Sequence, residues 1–211
     1  MSAFSFHSPA LVLLTDTRRV RAELRSVLAE LSSSSLSWVQ ARTEGMEQEE
    51  YRRWFLSCRE VLDPSIPMLV HFHWPLVHVL NAPGVHLKEY QSVAEVRRVL
   101  GRDCWIGQSV HSVESARRAE AEGVNYLQLG ALFPTGCKPG HPGFGLDLLR
   151  EVVHNVSVPI LGVGGMTDSN AEEVLQAGAS GISVISAILQ STSPALATQH
   201  LWGVLHSSPE E

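Results

Sequence analysis

Two short stretches of the chain have the composition of an anion cradle. Gly162-Val163-Gly164-Gly165 follows a β-branched run and opens a helical pattern, and Val184-Ile185-Ser186-Ala187 repeats that arrangement further on. Glycines let backbone amides approach an anion closely, and the N-terminus of a following helix adds a favourable dipole. These segments are therefore expected to bind a phosphate through Gly164, Gly165, Ile185 and Ser186. A third stretch, Phe133-Pro134-Thr135-Gly136-Cys137-Lys138-Pro139-Gly140, brings together a hydroxyl, a thiol, an ammonium and two glycines. Such a loop can wrap an anionic ligand and close over it. Groups able to carry a proton lie close by: His71 and His73 alternate, so on a regular strand they share a face, and imidazole titrates near neutrality. With the Cys137 thiol they make a set that could take a proton from a bound ligand and return it. His71, Cys137 and His73 are the expected catalytic residues.

These residues, with Thr15, Asp16, Gln40, Arg42, His86, Lys88, Ser109, His111 and Thr135, share one property: each stands at or just after the end of a β-branched run. The runs are Leu11–Thr15, Ser37–Ala41, Met68–His71, Gly84–Leu87, Trp105–Ser109, Tyr126–Leu129, Ile160–Val163 and Gly181–Ile185. Helical periodicity fills most of the intervals, as in the stripe Tyr51, Trp54, Phe55, Cys58, Val61 and Leu62. Ser92 with Glu95 and Ser169 with Glu172 fit the capping box, and Gly101, Gly123 and Gly178 stand where helices should stop. Trp74 to Pro83 is too short for more than about two helical turns. An open doubly wound sheet also alternates strand and helix, but no GxGxxG follows the first run. The expected architecture is one α/β domain over residues 1–211, a single compact (β/α)8 TIM barrel, with polar residues gathered at the C-terminal strand ends where such barrels carry their sites.

Bulk properties narrow the function. The chain has 211 residues, 44% hydrophobic composition and a net charge of −6, which gives no basic field for nucleic acid or anionic lipid. Its apolar runs are far shorter than the roughly 20 residues that span a bilayer, and no basic segment precedes a signal core, so a cytoplasmic protein is expected. Cys58, Cys104 and Cys137 form no CxxC pair, which points to thiols rather than to a disulfide framework or a zinc site. No cofactor is expected. Apolar side chains on a trimmed barrel commonly meet a partner subunit, so a homo-oligomer is among the expectations.

Several motifs agree in order and spacing with one family. Val39-Gln40-Ala41-Arg42, Gly84-Val85-His86-Leu87, Ile106-Gly107-Gln108-Ser109-Val110-His111-Ser112, Leu129 to Lys138, Gly164-Gly165-Met166 and Val184 to Ile188 together resemble the thiamine phosphate synthase and TenI family. The resemblance implies a site in which a thiazole phosphate lies against Thr135, Cys137, Gly165, Ile185 and Ser186. It also implies a second region, for a pyrimidine diphosphate in the synthase branch, to which Gln40, Arg42, Ser109 and Lys138 correspond. That branch holds Mg²⁺ on two Asp; here Phe72 and Gln91 occupy those places, Glu44 stands in place of a Lys and His71 in place of an Asn. Phenylalanine offers a hard cation no oxygen. The TenI branch is similar at Ser109-Val110-His111-Ser112 and Cys137-Lys138, and implies a thiazole tautomerase that moves a proton within thiazole carboxylate phosphate without a metal. One departure touches that implication too: the tautomerase histidine after the glycine of the sixth run is Ala131. Three expectations follow, led by a TenI-like thiazole tautomerase. The alternatives are a divergent thiamine phosphate synthase and a non-catalytic protein that binds phosphorylated thiazole or thiamine phosphate.

Overall fold

Each of the eight β-branched runs becomes a strand, and the strands pair in parallel in sequence order to close a barrel. The computed structural model describes residues 6–19, 23–31, 35–137 and 139–207, so Lys138 lies outside the described residues. The strands are β1 (Ala10–Leu14), β2 (Trp38–Ala41), β3 (Met68–His71), β4 (Gly84–Leu87), β5 (Trp105–Val110), β6 (Tyr126–Gly130), β7 (Ile160–Val163) and β8 (Gly181–Val184). The helices are α1 (Leu24–Ala29), α2 (Gln48–Val61), α3 (Val93–Leu100), α4 (Val113–Ala121), α5 (Gly145–Asn155), α6 (Asp168–Gln176), α7 (Ser186–Leu189) and α8 (Pro194–His206). Between β3 and β4 only a 3-10 turn, Trp74–Leu76, replaces a helix. None of the described helices is long and apolar enough to cross a membrane.

Parallel barrel strands are buried on both faces, which is why they read as nearly unbroken apolar runs. Outward residues such as Leu11, Val39, Val70, Val85 and Leu127 pack under the helices. Helix α2 contributes Tyr51, Phe55 and Cys58 from its apolar stripe, all fully buried, and each large side chain so placed stabilises by roughly 1.5–3 kcal/mol. Tyr51 does more than fill space: its hydroxyl donates to Ala41 O at 2.7 Å and accepts from the His71 amide at 2.9 Å. One helix residue thereby fixes the ends of β2 and β3.

The inward residues form layers. Toward the N-terminal ends lie Val12, Trp38, Leu69, Tyr126 and Leu161, with Trp38 edge-on to Tyr126 at 5.3 Å between ring centroids. The Tyr126 ring fills the space where any side chain at position 107 would stand, so Gly107 is dictated by packing. Above this plug the interior turns polar, with Gln40, His71, His86, Gln128 and Ser183 all buried.

Helix ends follow local chemistry with one correction. The Ser92 hydroxyl accepts from the Glu95 amide as expected, but the box before α6 is Thr167 with Asn170 rather than Ser169 with Glu172. The chain reaches the helix two residues sooner because Asn170 is also tied to the preceding glycine turn, its Nδ2 donating to Gly165 O at 2.9 Å.

Candidate active site

The polar layer of the barrel forms the floor of a cavity of about 630 Å³ at the C-terminal strand ends. Gln128 Nε2 donates to Gln40 Oε1 and to Ser183 Oγ, both at 2.9 Å, and Gln40 Nε2 lies 2.7 Å from His71 Nδ1. With the amides oriented this way, Gln40 can only donate to Nδ1, so the neutral His71 ring carries its proton on Nε2. Burial first, then the nearby His86, Arg42, Lys88 and His73, holds the His71 pKa well below the ordinary imidazole value. His86 is stacked on it at 5.8 Å, lies 3.1 Å from Tyr126 Oη and 2.9 Å from Ser109 Oγ, and is pushed down by burial to about 3. The floor is thus a neutral network in which His71 is set up to donate a hydrogen bond.

The wall after β7 is made of backbone, continued after β8 by Ile185 and Ser186. Gly164 and Gly165 have φ of 92° and 69°, a conformation that favours glycine. A Cβ on Gly164 would stand 2.5 Å from that of Ala131, and one on Gly165 2.8 Å from that of Phe133. The turn is locked to the loop after β6 by bonds from the Leu132 amide to Val163 O at 2.9 Å and from the Phe133 amide to Gly164 O at 3.1 Å. Gly164, Gly165, Ile185 and Ser186 line the cavity, and Thr135 and Cys137 face it from the β6 loop. Thr135 Oγ1 accepts from the Cys137 amide at 3.3 Å, and Arg19 donates to Gly136 O.

The opposite wall is made of charged side chains from β2, β4, β5 and α4. Arg42 reaches Asp16 at 2.6 Å and also pairs with Glu44. Lys88 Nζ stands 4.4 Å from the centroid of the Phe72 ring, a cation–π contact. Glu89 Oε2 lies 2.7 Å from His111 Nδ1, and both residues, with Arg118, line the cavity. Burial works against the Glu89 charge, but hydrogen bonds from Ser115 and His111 outweigh it and hold the carboxyl below its ordinary value.

A family model described as thiamine monophosphate synthase matches residues 11–188. The chain belongs to this family. It is 39% identical to the thiamine-phosphate synthase of Roseiflexus sp. over 71% of its own length and 64% of that relative's. To the thiamine-phosphate synthase of Clostridium acetobutylicum it is 31% identical over 85% of its own length and 86% of the relative's. A solved structure, thiamine phosphate pyrophosphorylase from Pyrococcus furiosus, superposes with a TM-score of 0.79 at 29% identity, covering 93% of this chain and 95% of that one.

As a thiamine monophosphate synthase family barrel, the chain brings most of the expected residues together. Gln40, Arg42, His71, Ser109, Thr135, Cys137, Gly164, Gly165, Ile185 and Ser186 border one cavity. His73 does not. Phe72 adopts a φ of 47°, which ends the alternation of β3, and the His73 ring turns onto Tyr51 at 4.5 Å, behind the strand. It is buried, and its Nε2 has no hydrogen-bond partner among the described residues. The metal that the family resemblance implies does not fit here: Phe72 presents a ring occupied by Lys88. The Gln91 amide is consumed by the backbone, accepting from the Lys88 amide at 2.9 Å and donating to Phe72 O at 3.1 Å.

Sequence reasoning missed Gln128, Glu89, Tyr90 and Arg118, which also border the cavity. Gln128 had a signal, a lone polar residue inside an apolar strand at the inward parity of Tyr126. Arg118 had none, because it lies inside α4 and reaches the mouth only through its length.

Proposed function

We propose that this barrel forms thiamine phosphate by joining a phosphorylated thiazole to a hydroxymethylpyrimidine diphosphate. The observation that carries the reading is the two-sided cavity, whose roughly 630 Å³ is in the range that encloses ligands of two ring systems. The thiazole phosphate sits on the backbone wall at Gly164 and Gly165, where unsubstituted backbone can approach the anion, with Ile185 and Ser186 beside it. The diphosphate faces Arg42, Lys88 and Arg118. The thiazole ring nitrogen attacks the pyrimidine methylene, the carbon–oxygen bond breaks, and diphosphate departs with the electron pair. Fixed cations in a partly dry site stabilise that growing negative charge. His71 donates a hydrogen bond from Nε2, and Gln40 and Ser109 help to fix the pyrimidine. Similarity to the thiamine-phosphate synthases of Roseiflexus sp. and Clostridium acetobutylicum supports the same reaction.

A second reading, thiazole tautomerase, is favoured by one observation: positions 72 and 91 carry no carboxylate for a metal. Against it, the floor commits His71 to donating, and Ala131 supplies no proton carrier. The test incubates the purified protein with thiazole phosphate and pyrimidine diphosphate, and separately with the thiazole carboxylate phosphate tautomer. Thiamine phosphate in the first arm is the expected result. Isomerisation in the second arm alone would favour the tautomerase, and binding without either product would favour a regulatory role.

A further inference from the structure

One pair of side chains in the cavity wall has the geometry of an acid–base unit that the reaction above leaves unused. Glu89 follows β4 and His111 follows β5, and the 2.7 Å contact between Glu89 Oε2 and His111 Nδ1 joins the two loops. Both side chains are about one-third exposed and border the cavity. The pair is held from several sides: the His111 amide donates to Ser115 Oγ at 3.2 Å, and the Phe144 ring packs edge-on to the imidazole at 6.0 Å. A carboxylate on Nδ1 fixes the tautomer, stabilises the imidazolium and directs exchange to Nε2. His71, held neutral in the floor, lacks such a partner.

We infer that His111 is the proton donor to the departing diphosphate, with Glu89 as its positioning residue. The inference rests on the thiamine phosphate-forming reading. As the methylene carbon–oxygen bond breaks, its electron pair goes to the diphosphate oxygen, and the imidazolium proton passes to a diphosphate oxygen. The thiazole nitrogen lone pair makes the new carbon–nitrogen bond, and the neutral imidazole is reprotonated from water. Charged groups from the neighbouring elements border the same wall: Glu89 is acidic, Lys88 on the same loop and Arg118 on α4 are basic, and His141 lies behind Phe144 at 4.8 Å. An arriving diphosphate brings further negative charge beside the pair.

The test measures kcat and KM for the condensation across the imidazole range, about pH 5 to 8, in the unmodified protein, His111→Gln and Glu89→Gln. His111→Gln is expected to lower kcat by about 10²-fold or more, the usual share of a general acid, to change the KM for pyrimidine diphosphate little, and to abolish the fall in kcat at high pH. Glu89→Gln keeps the hydrogen bond without the charge, so its high-pH limb should move to lower pH while KM stays near that of the unmodified protein. A His111→Gln protein with unchanged kcat and an intact limb overturns the inference and leaves the condensation reading standing. Should His111→Gln fail to fold, an unmoved limb in Glu89→Gln overturns it equally. No condensation by the unmodified protein overturns the reading of function itself, and the inference falls with it.

Discussion

The two walls of the cavity face the same ligand space and are built from opposite materials. After β7 the wall is glycine backbone in left-handed conformation, packed so closely on the β6 loop that Gly164 and Gly165 have no room for a side chain, and Ile185 and Ser186 continue it after β8. From β2 to β5 it is long side chains: Arg42 tied to Asp16, Lys88 over Phe72, Glu89 on His111, above a floor of buried amides and imidazoles. A backbone wall is set by sterics and should be insensitive to pH. A side-chain wall is set by charge and hydrogen bonding, so it should tolerate small changes of shape and respond to protons.

The largest effect expected from breaking this contrast is at Gly165. Valine there must adopt a φ near 69° with its Cβ 2.7 Å from Pro134 O, a strain of order 1–3 kcal/mol that the loop relieves by moving. Gly165→Val should weaken thiazole phosphate binding by about 10²-fold, since about 1.4 kcal/mol is tenfold and both the strain and the lost amide geometry count. Pyrimidine diphosphate, facing the other wall, should bind within a few-fold of its normal affinity. Calorimetric titration of both ligands checks the contrast, and equal losses would show that the two walls are one unit.

A smaller effect is expected from acid on the side-chain side. The His86 pKa is depressed from 6.5 to about 3 by burial, so below pH 6.5 the unfolded chain takes up a proton that the native protein refuses. The stability contributed by keeping His86 neutral is complete above pH 6.5 and is lost progressively as the pH falls toward 3. At about pH 5 the loss is about 2 kcal/mol, from about 1.36 kcal/mol per pKa unit. His71 shifts in the same direction. Urea denaturation at neutral and acid pH should therefore show a drop that is about 2 kcal/mol smaller in His86→Gln, whatever that variant's stability at neutral pH. An identical drop in both proteins would remove His86 from the acid response.

The two walls also differ in how far they could be read from sequence. The backbone wall was legible because its determinants are local: Gly164-Gly165 and Ile185-Ser186 announce their geometry by residue type, and strand order then brings them together. The barrel was legible for the same reason, each strand beginning and ending within a residue of its β-branched run. The side-chain wall depends on separations the sequence does not display. Tyr51 looked like one more apolar residue in a helix stripe, yet its hydroxyl sets the ends of β2 and β3. His73 was expected beside His71 on period two, and a single left-handed residue, Phe72, sent it behind the strand. Glu89 gained meaning only when the fold placed it against His111, 22 residues away.

The smallest expected effect sharpens the contrast by asking whether the backbone wall stands alone. Asn170 Oδ1 accepts from the Thr167 amide at 2.9 Å, and its Nδ2 donates to Gly165 O at 2.9 Å. One side chain therefore caps α6 and steadies the glycine turn. Asn170→Ala removes both bonds and should cost about 1 kcal/mol of stability, the usual worth of a capping side chain, with a weakening of thiazole phosphate binding of about fivefold or less on the same energy scale. Asn170→Asp separates the two roles. Its carboxylate still accepts from Thr167, and negative charge is favourable at a helix N-terminus, so thermal stability should return to near that of the unmodified protein. The donor to Gly165 O is gone, however, and a carboxylate oxygen now stands against that carbonyl, so affinity should stay low. If Asp restored affinity as well as stability, the Gly165 carbonyl bond would contribute nothing to the cradle. Its shape would then come from packing against Ala131, Phe133 and Pro134 alone.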